Sequence, residues 1–185
     1  GSAFKKIYFD EVQGRATSKF LPAEDVIVPY GASDLDSCDR ITQIVKLSFN
    51  DLRKKQISGF YRDIDLDAYE GYEASDIQEK KNQIDGERPN DYTSDDMTEL
   101  LEMHIDLDLE GYEDINPKDN EPSGIRLPYI VTLDRGSNKI LSIYRNYNEN
   151  DPLRKKNEYY VHYKFLPGLG FYGFGLVHMI GGLSR

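Results

Sequence analysis

Two stretches carry acidic residues at spacings that could do chemistry. Residues 63–73 read DIDLDAYEGYE and residues 104–114 read HIDLDLEGYED, sharing Ile-Asp-Leu-Asp and Glu-Gly-Tyr-Glu. Alternating aspartates suit a hard cation, yet a calcium loop of EF-hand type also needs Gly at position 6 and Glu at position 12. Counting from Asp63, those positions hold Ala68 and Ala74; counting from Asp106, they hold Gly111 and Pro117, which has no carboxylate. Both registers fail. A strand-face site from His104, Asp106 and Asp108 would space its ligands roughly 6.5–7 Å apart, too far for one small ion to bridge all three. The expectation is therefore a solvated acidic face and no metal ligand. The near-repeat does not extend into flanking sequence, as a true repeat would, and reads as coincidence.

The other reactive residue types are equally isolated. Cys38 sits in LDSCDR, where neighbouring carboxylates would raise a thiol pKa and blunt its reactivity. His104, His162 and His178 have no serine elbow to serve. Acid pairs are abundant, but in so acidic a segment they say little about glycoside chemistry. Gly168–Gly173, GLGFYG, matches the dinucleotide fingerprint in spacing, but only twelve residues follow Gly173, too few for a β-α-β unit and its ribose-binding acid. No catalytic residue, no cofactor-binding residue and no metal ligand is assigned, and the chain reads as a non-enzyme.

The elements that would hold these residues can be read from periodicity. Residues 4–10 and 15–21 flank a turn ending in Gly14, which predicts a β-hairpin. A short extended run over 24–30 and an alternating strand over 40–48 follow, then a short helix capped by Asn50 and stopped by Gly59. Ser75-Asp-Ile-Gln78 is a capping box opening a surface helix that Gly86 and Pro89 end. Leu101, Met103, Ile105, Leu107 and Leu109 alternate with Glu102, His104, Asp106, Asp108 and Glu110. Period two over ten residues predicts a half-buried strand, with Leu107 in the core and Asp106 in water. IRLPYIVTLD and KILSIYRNY make a second hairpin around RGSN, and NEYYVHYKFL a further strand. The fold class expected is α+β: antiparallel hairpins and a β-meander with a few short peripheral helices. Residues 1–67 hold the first hairpin, a strand and a short helix. Residues 68–98 form an acidic insertion with a surface helix, and residues 99–185 a meander ending in the start of a helix. One compact domain is expected.

Composition narrows the class. The 185 residues are 38% hydrophobic and 30% charged, with 14 tyrosines, 8 phenylalanines and no tryptophan, a balance suited to strands packed through amphipathic rings. A single cysteine excludes an intrachain disulfide and fits a reducing compartment. No stretch has the length of a membrane span, and no signal-peptide pattern opens the chain. Without an initiator Met it reads as a piece of something longer, with Gly1-Ser2 either native or a cloning scar. Charge is unevenly placed. Residues 63–121 hold 21 acids and 4 bases, a balance of −17, against 12 acids and 19 bases elsewhere, a balance of +7. A protein that coats nucleic acid would instead concentrate basic charge on one face.

Four blocks, in order, resemble portal proteins of short-tailed bacteriophages or a related prophage. They are GSAFKKIYFD, LPAEDVIVPYGASDLDSCDRITQIVKLSFNDLRKKQISGFYRDIDL, GIRLPYIVTLDRGSNKILSIYRNYNENDPLRKK and YYVHYKFLPGLGFYGFGLVHMIGGL. The last is the most specific. The resemblance implies a peripheral, wing-like structural fragment of the capsid portal, truncated at both ends. Its implied partners are other portal subunits in a ring, usually dodecameric, with the terminase, the capsid and head–tail connector proteins. Double-stranded DNA would pass through the channel without sequence-specific binding. The implied location is the virion's capsid vertex, and the host cytoplasm during assembly. The family carries over no catalytic residue. From the residues alone, a metal- or small-ligand-binding α+β domain using the acidic 63–121 region stands as the alternative.

Overall fold

The structure is a computed structural model and describes residues 1–10, 14–66, 97–116, 118–168 and 170–181. The surface helix expected from Ser75, with most of the acidic insertion, lies outside the described residues.

The first hairpin forms as its sequence dictates. β1 (Ser2–Asp10) and β2 (Arg15–Pro22) pair antiparallel, Phe4 opposite Leu21 and Asp10 opposite Arg15. Gly14 takes the positive φ of 62° that the chain needs in order to re-enter the sheet, a conformation costly for other residues. A 3-10 turn (Ala23–Asp25) leads to the short β3 (Val26–Ile27), and β4 (Arg40–Ser48) pairs with it antiparallel. Helix α1 (Phe49–Ile57) follows directly. Its cap is Ser48, whose hydroxyl accepts from the Asp51 N–H at 3.1 Å, two residues before the expected Asn50. Gly59 closes the helix end at φ 79°.

The later strands are β5 (Met97–Leu107), β6 (Leu127–Asp134), β7 (Ile140–Arg145) and β8 (Tyr160–Lys164). Two antiparallel sheets result, with order β2-β1-β8 and β3-β4-β5-β6-β7. With only two short helices in the described residues, α1 and the five-residue α2 (Leu176–Ile180), the fold is α+β with peripheral helices. β5, β6 and β7 form the expected meander, but the fourth strand leaves it. β8 instead pairs antiparallel with β1, Phe4 opposite His162 and Lys6 opposite Tyr160. The β6–β7 turn is held by Asp134, whose carboxylate accepts from the Ser137 N–H and hydroxyl, both at 2.7 Å, and from the Thr98 hydroxyl at 3.0 Å.

The chain divides into two compact units, each discontinuous in sequence: residues 1–44, 102–130 and 144–185 in the first, residues 45–101 and 131–143 in the second. The first has a core of Phe4, Leu21, Val26, Cys38, Ile41, Tyr160 and Phe171. The second is built around Leu52 of α1, Tyr61, Leu100 and Leu141.

The glycine-rich stretch after β8 serves backbone packing. Phe174 N–H donates to the Leu166 carbonyl at 2.8 Å, folding the segment back on itself, and Gly173 N–H donates to Ser2 Oγ at 2.8 Å. A Cβ on Gly173 would lie 2.8 Å from the Leu166 carbonyl oxygen and 3.3 Å from that of Gly1. Backbone oxygens cannot swing aside. Gly173→Ala should therefore cost about 1–3 kcal/mol in urea unfolding, whereas Gly170→Ala, which meets nothing within 4 Å, should stay within about 0.5 kcal/mol. Equal midpoints for the two variants would contradict this packing.

Candidate functional site

Period two places Glu102 and His104 on one face of β5, and the structure buries that face over residues 98–104. Thr98, Leu100 and His104 are all buried, and the Glu102 side chain is only 16% exposed. The expected division into wet polar and dry apolar faces holds at Asp106, which is exposed, but Leu107 is only half-buried. At Glu102 and His104 the expectation of a solvated face is corrected. The reason lies in the partners that the three-stranded sheet supplies.

Lys6 and Tyr160 are register partners on β1 and β8, so their side chains project from the same face of that sheet. Glu102 Oε1 accepts from Lys6 Nζ at 2.5 Å, lies 2.8 Å from His104 Nε2, and is approached by the Tyr160 hydroxyl at 3.4 Å. The same hydroxyl is 3.4 Å from Gln43 Oε1 on β4. The Tyr159 and Tyr160 rings meet the His104 imidazole edge-on at 5.4 and 4.9 Å between centroids, fixing its plane. Burial alone would raise the Glu102 carboxyl, but the His104 hydrogen bond and the Lys6 ammonium outweigh it and bring the pKa down to about 2. The Tyr160 hydroxyl is pushed strongly upward, by burial first and by the Glu102 charge second. Glu102 is thus a fixed carboxylate and Tyr160 a fixed phenol. Neither is poised to exchange a proton near neutrality, where general acid–base groups need their pKa.

The remaining candidates separate. Cys38 is buried, its thiol donating to the Arg40 carbonyl at 2.8 Å. Its pKa is raised as expected, though chiefly by burial, with Asp39 a lesser cause. His162 stacks on Phe4 at 4.3 Å and on Phe171 at 4.8 Å, with its pKa lowered by burial and by Lys164. His178 Nδ1 accepts from the Gly175 N–H at 3.2 Å, at the start of α2. Among the described residues no three or more His, Cys, Asp or Glu side chains converge as a metal site would require. The two Ile-Asp-Leu stretches differ in backbone: residues 64–66 are irregular, whereas residues 105–107 belong to β5. Sequence reasoning missed the Glu102 cluster. The one available signal was a Lys on a buried-strand parity, Lys6 between Phe4 and Tyr8.

The basic runs are engaged locally. Arg53 pairs with Asp63, Lys54 Nζ donates to Asp51 at 3.1 Å, and Lys55 lies over the Phe60 and Tyr61 rings. Arg154 Nε pairs with Asp114 at 3.2 Å, and Lys156 Nζ donates to the carbonyls of Leu35 and Asp36 at 3.3 and 3.0 Å. No described helix is long and apolar enough to cross a membrane.

Fold and site together define a strand-rich α+β protein in which the largely buried Glu102 carboxylate is paired with Lys6. No protein-family model matches the chain, and no curated protein matches it.

Proposed function

We propose that this chain is a structural, non-enzymatic part of a phage portal subunit, from the outer wing of the ring through which double-stranded DNA is packaged and ejected. The observation that carries this reading is the outer face of the β2-β1-β8 sheet. The inner face supplies Phe4, Leu21 and Tyr160 to the core, whereas the other face leaves Ile7, Phe9, Phe20, Val161 and Tyr163 in water, Phe9 at 64% and Phe20 at 62% exposure. Exposed large apolar side chains gathered on one sheet face, around Lys5, suit a face that a larger assembly covers. The ordered sequence blocks supply the kind of assembly. The partners in this reading are other portal subunits, the terminase, the capsid and head–tail connectors. Ion pairs and carbonyl contacts at Arg53, Lys54, Arg154 and Lys156 suit a part that lets DNA pass without gripping its phosphates.

The test uses the full-length portal subunit that this reading implies. Phe9→Lys with Phe20→Lys should abolish its ring species in sedimentation velocity. At exposed positions the same pair should change the stability of the chain itself by no more than about 1 kcal/mol. Undiminished ring formation would remove the apolar face from the interface and the support it lends.

A further inference from the structure

We infer, on the reading that an assembly covers the outer β2-β1-β8 face, that the covering surface belongs to a second copy of the chain and brings carboxylates to Lys5 from the end of β5. Lys5 stands among the apolar side chains of that face. Its register partners are Phe20 on β2 and Val161 on β8, and its ammonium lies 5.6 Å from the centre of the Tyr163 ring. Lys5 is exposed, and none of the ion pairs among the described residues reaches it. Closing apolar surface over an unpaired ammonium would strand its charge, so a partner that fits here supplies an anion opposite Lys5.

The chain carries such a surface itself. Asp106, Asp108 and Glu110, at and just beyond the end of β5, are exposed, and those same ion pairs leave them out. Tyr112 follows between Glu110 and Glu113 at 61% exposure, and Arg145, which lies over its ring, is already paired with Glu149. A cation ringed by apolar groups thus has its complement in an exposed ring flanked by carboxylates. The two surfaces cannot meet within one chain. Lys6 reaches Glu102 of β5 from the inner face of its sheet, so Lys5, its neighbour on the strand, points away from β5. The contact therefore joins different patches of two copies, head to tail, the kind that repeats around a closed ring.

Mixing two charge-reversed variants of the chain tests this, read by sedimentation equilibrium at low salt and up to about 1 mM protein. Lys5→Glu alone, and Asp108→Lys with Glu110→Lys alone, should each stay monomeric, because each sets like charges against one another. Their equimolar mixture should associate as wild type does, since each variant restores an opposite charge to the other, and salt at about 0.5 M should weaken it. Association on mixing also shows that both variants fold. Lys5→Met separates an anionic cover from a merely apolar one. It should weaken wild-type association about tenfold by stranding the partner's carboxylate, whereas an apolar cover would hold the added methionine more tightly. A wild type that is monomeric at the highest concentration, a mixture that stays monomeric, or tighter association of Lys5→Met would each overturn the contact. A full-length ring unchanged by Lys5→Glu would overturn it too and leave the portal reading standing, whereas association of the mixture without any full-length ring would keep the contact and remove the portal.

Discussion

Glu102→Gln should lower the free energy of unfolding at pH 7 by about 3 kcal/mol, and two routes lead to that figure. A carboxyl whose pKa falls from its ordinary 4.5 to about 2 on folding contributes roughly 1.4 kcal/mol per unit at pH values above both. Removing one partner of a largely buried ion pair costs about 3–5 kcal/mol, because the surviving charge is stranded. The Lys6 side chain is 14% exposed and would be that stranded charge. Because the folded pKa is depressed, the contribution is fully present above pH 4.5 and is lost as pH falls through about 2. The gap between wild type and Glu102→Gln should therefore close on acidification. Combining Glu102→Leu with Lys6→Met should recover the part of the loss that comes from the stranded Lys6 charge, leaving a deficit of about 1–3 kcal/mol for the His104 ring nitrogen that loses its partner. Chemical denaturation at pH 7, 4 and 2 reads all three. A gap that does not depend on pH would contradict the ion-pair assignment.

Leu100→Ala should cost about 3–5 kcal/mol, and Leu107→Ala only about 1 kcal/mol. Leu100 is 0% exposed and packs with Leu52, Tyr61 and Leu141, where the surrounding α1 and β7 side chains leave a cavity on truncation. Leu107, at the end of β5, is half-buried. Both are leucines on one strand, so transfer free energy alone would make them equal; the difference rests on which face of β5 is enclosed. Urea midpoints that rank Leu107 above Leu100 would reverse the face assignment.

That strand also shows what the sequence could and could not reveal. Strict alternation identified β5 as a strand, because period two is a property of the local backbone. It did not reveal which face the core would take. Glu102 and His104 suit a wet face equally well, and only Lys6, Gln43 and Tyr160, brought from β1, β4 and β8, turn that face into a satisfied network. The β1–β2 hairpin was legible for the opposite reason. Its two strands adjoin in sequence and Gly14 marks the turn between them. The pairing of β8 with β1 joins the two ends of the chain, and no local pattern in NEYYVHYKFL distinguishes it from a fourth meander strand. The close approach of Gly173, in GLGFYG, to the Gly1 and Leu166 backbones needed the fold to be visible.

The proposal that this chain belongs to a portal ring is tested most directly by electron cryomicroscopy of the full-length subunit that the proposal implies. The expected image is a closed ring, usually of twelve subunits, with an axial channel wide enough for duplex DNA. The β2-β1-β8 sheet should lie in its periphery, with Phe9 and Phe20 covered by a neighbouring part of the assembly. Monomers or open oligomers without a channel, or a ring in which Phe9 and Phe20 remain in solvent, would contradict the account.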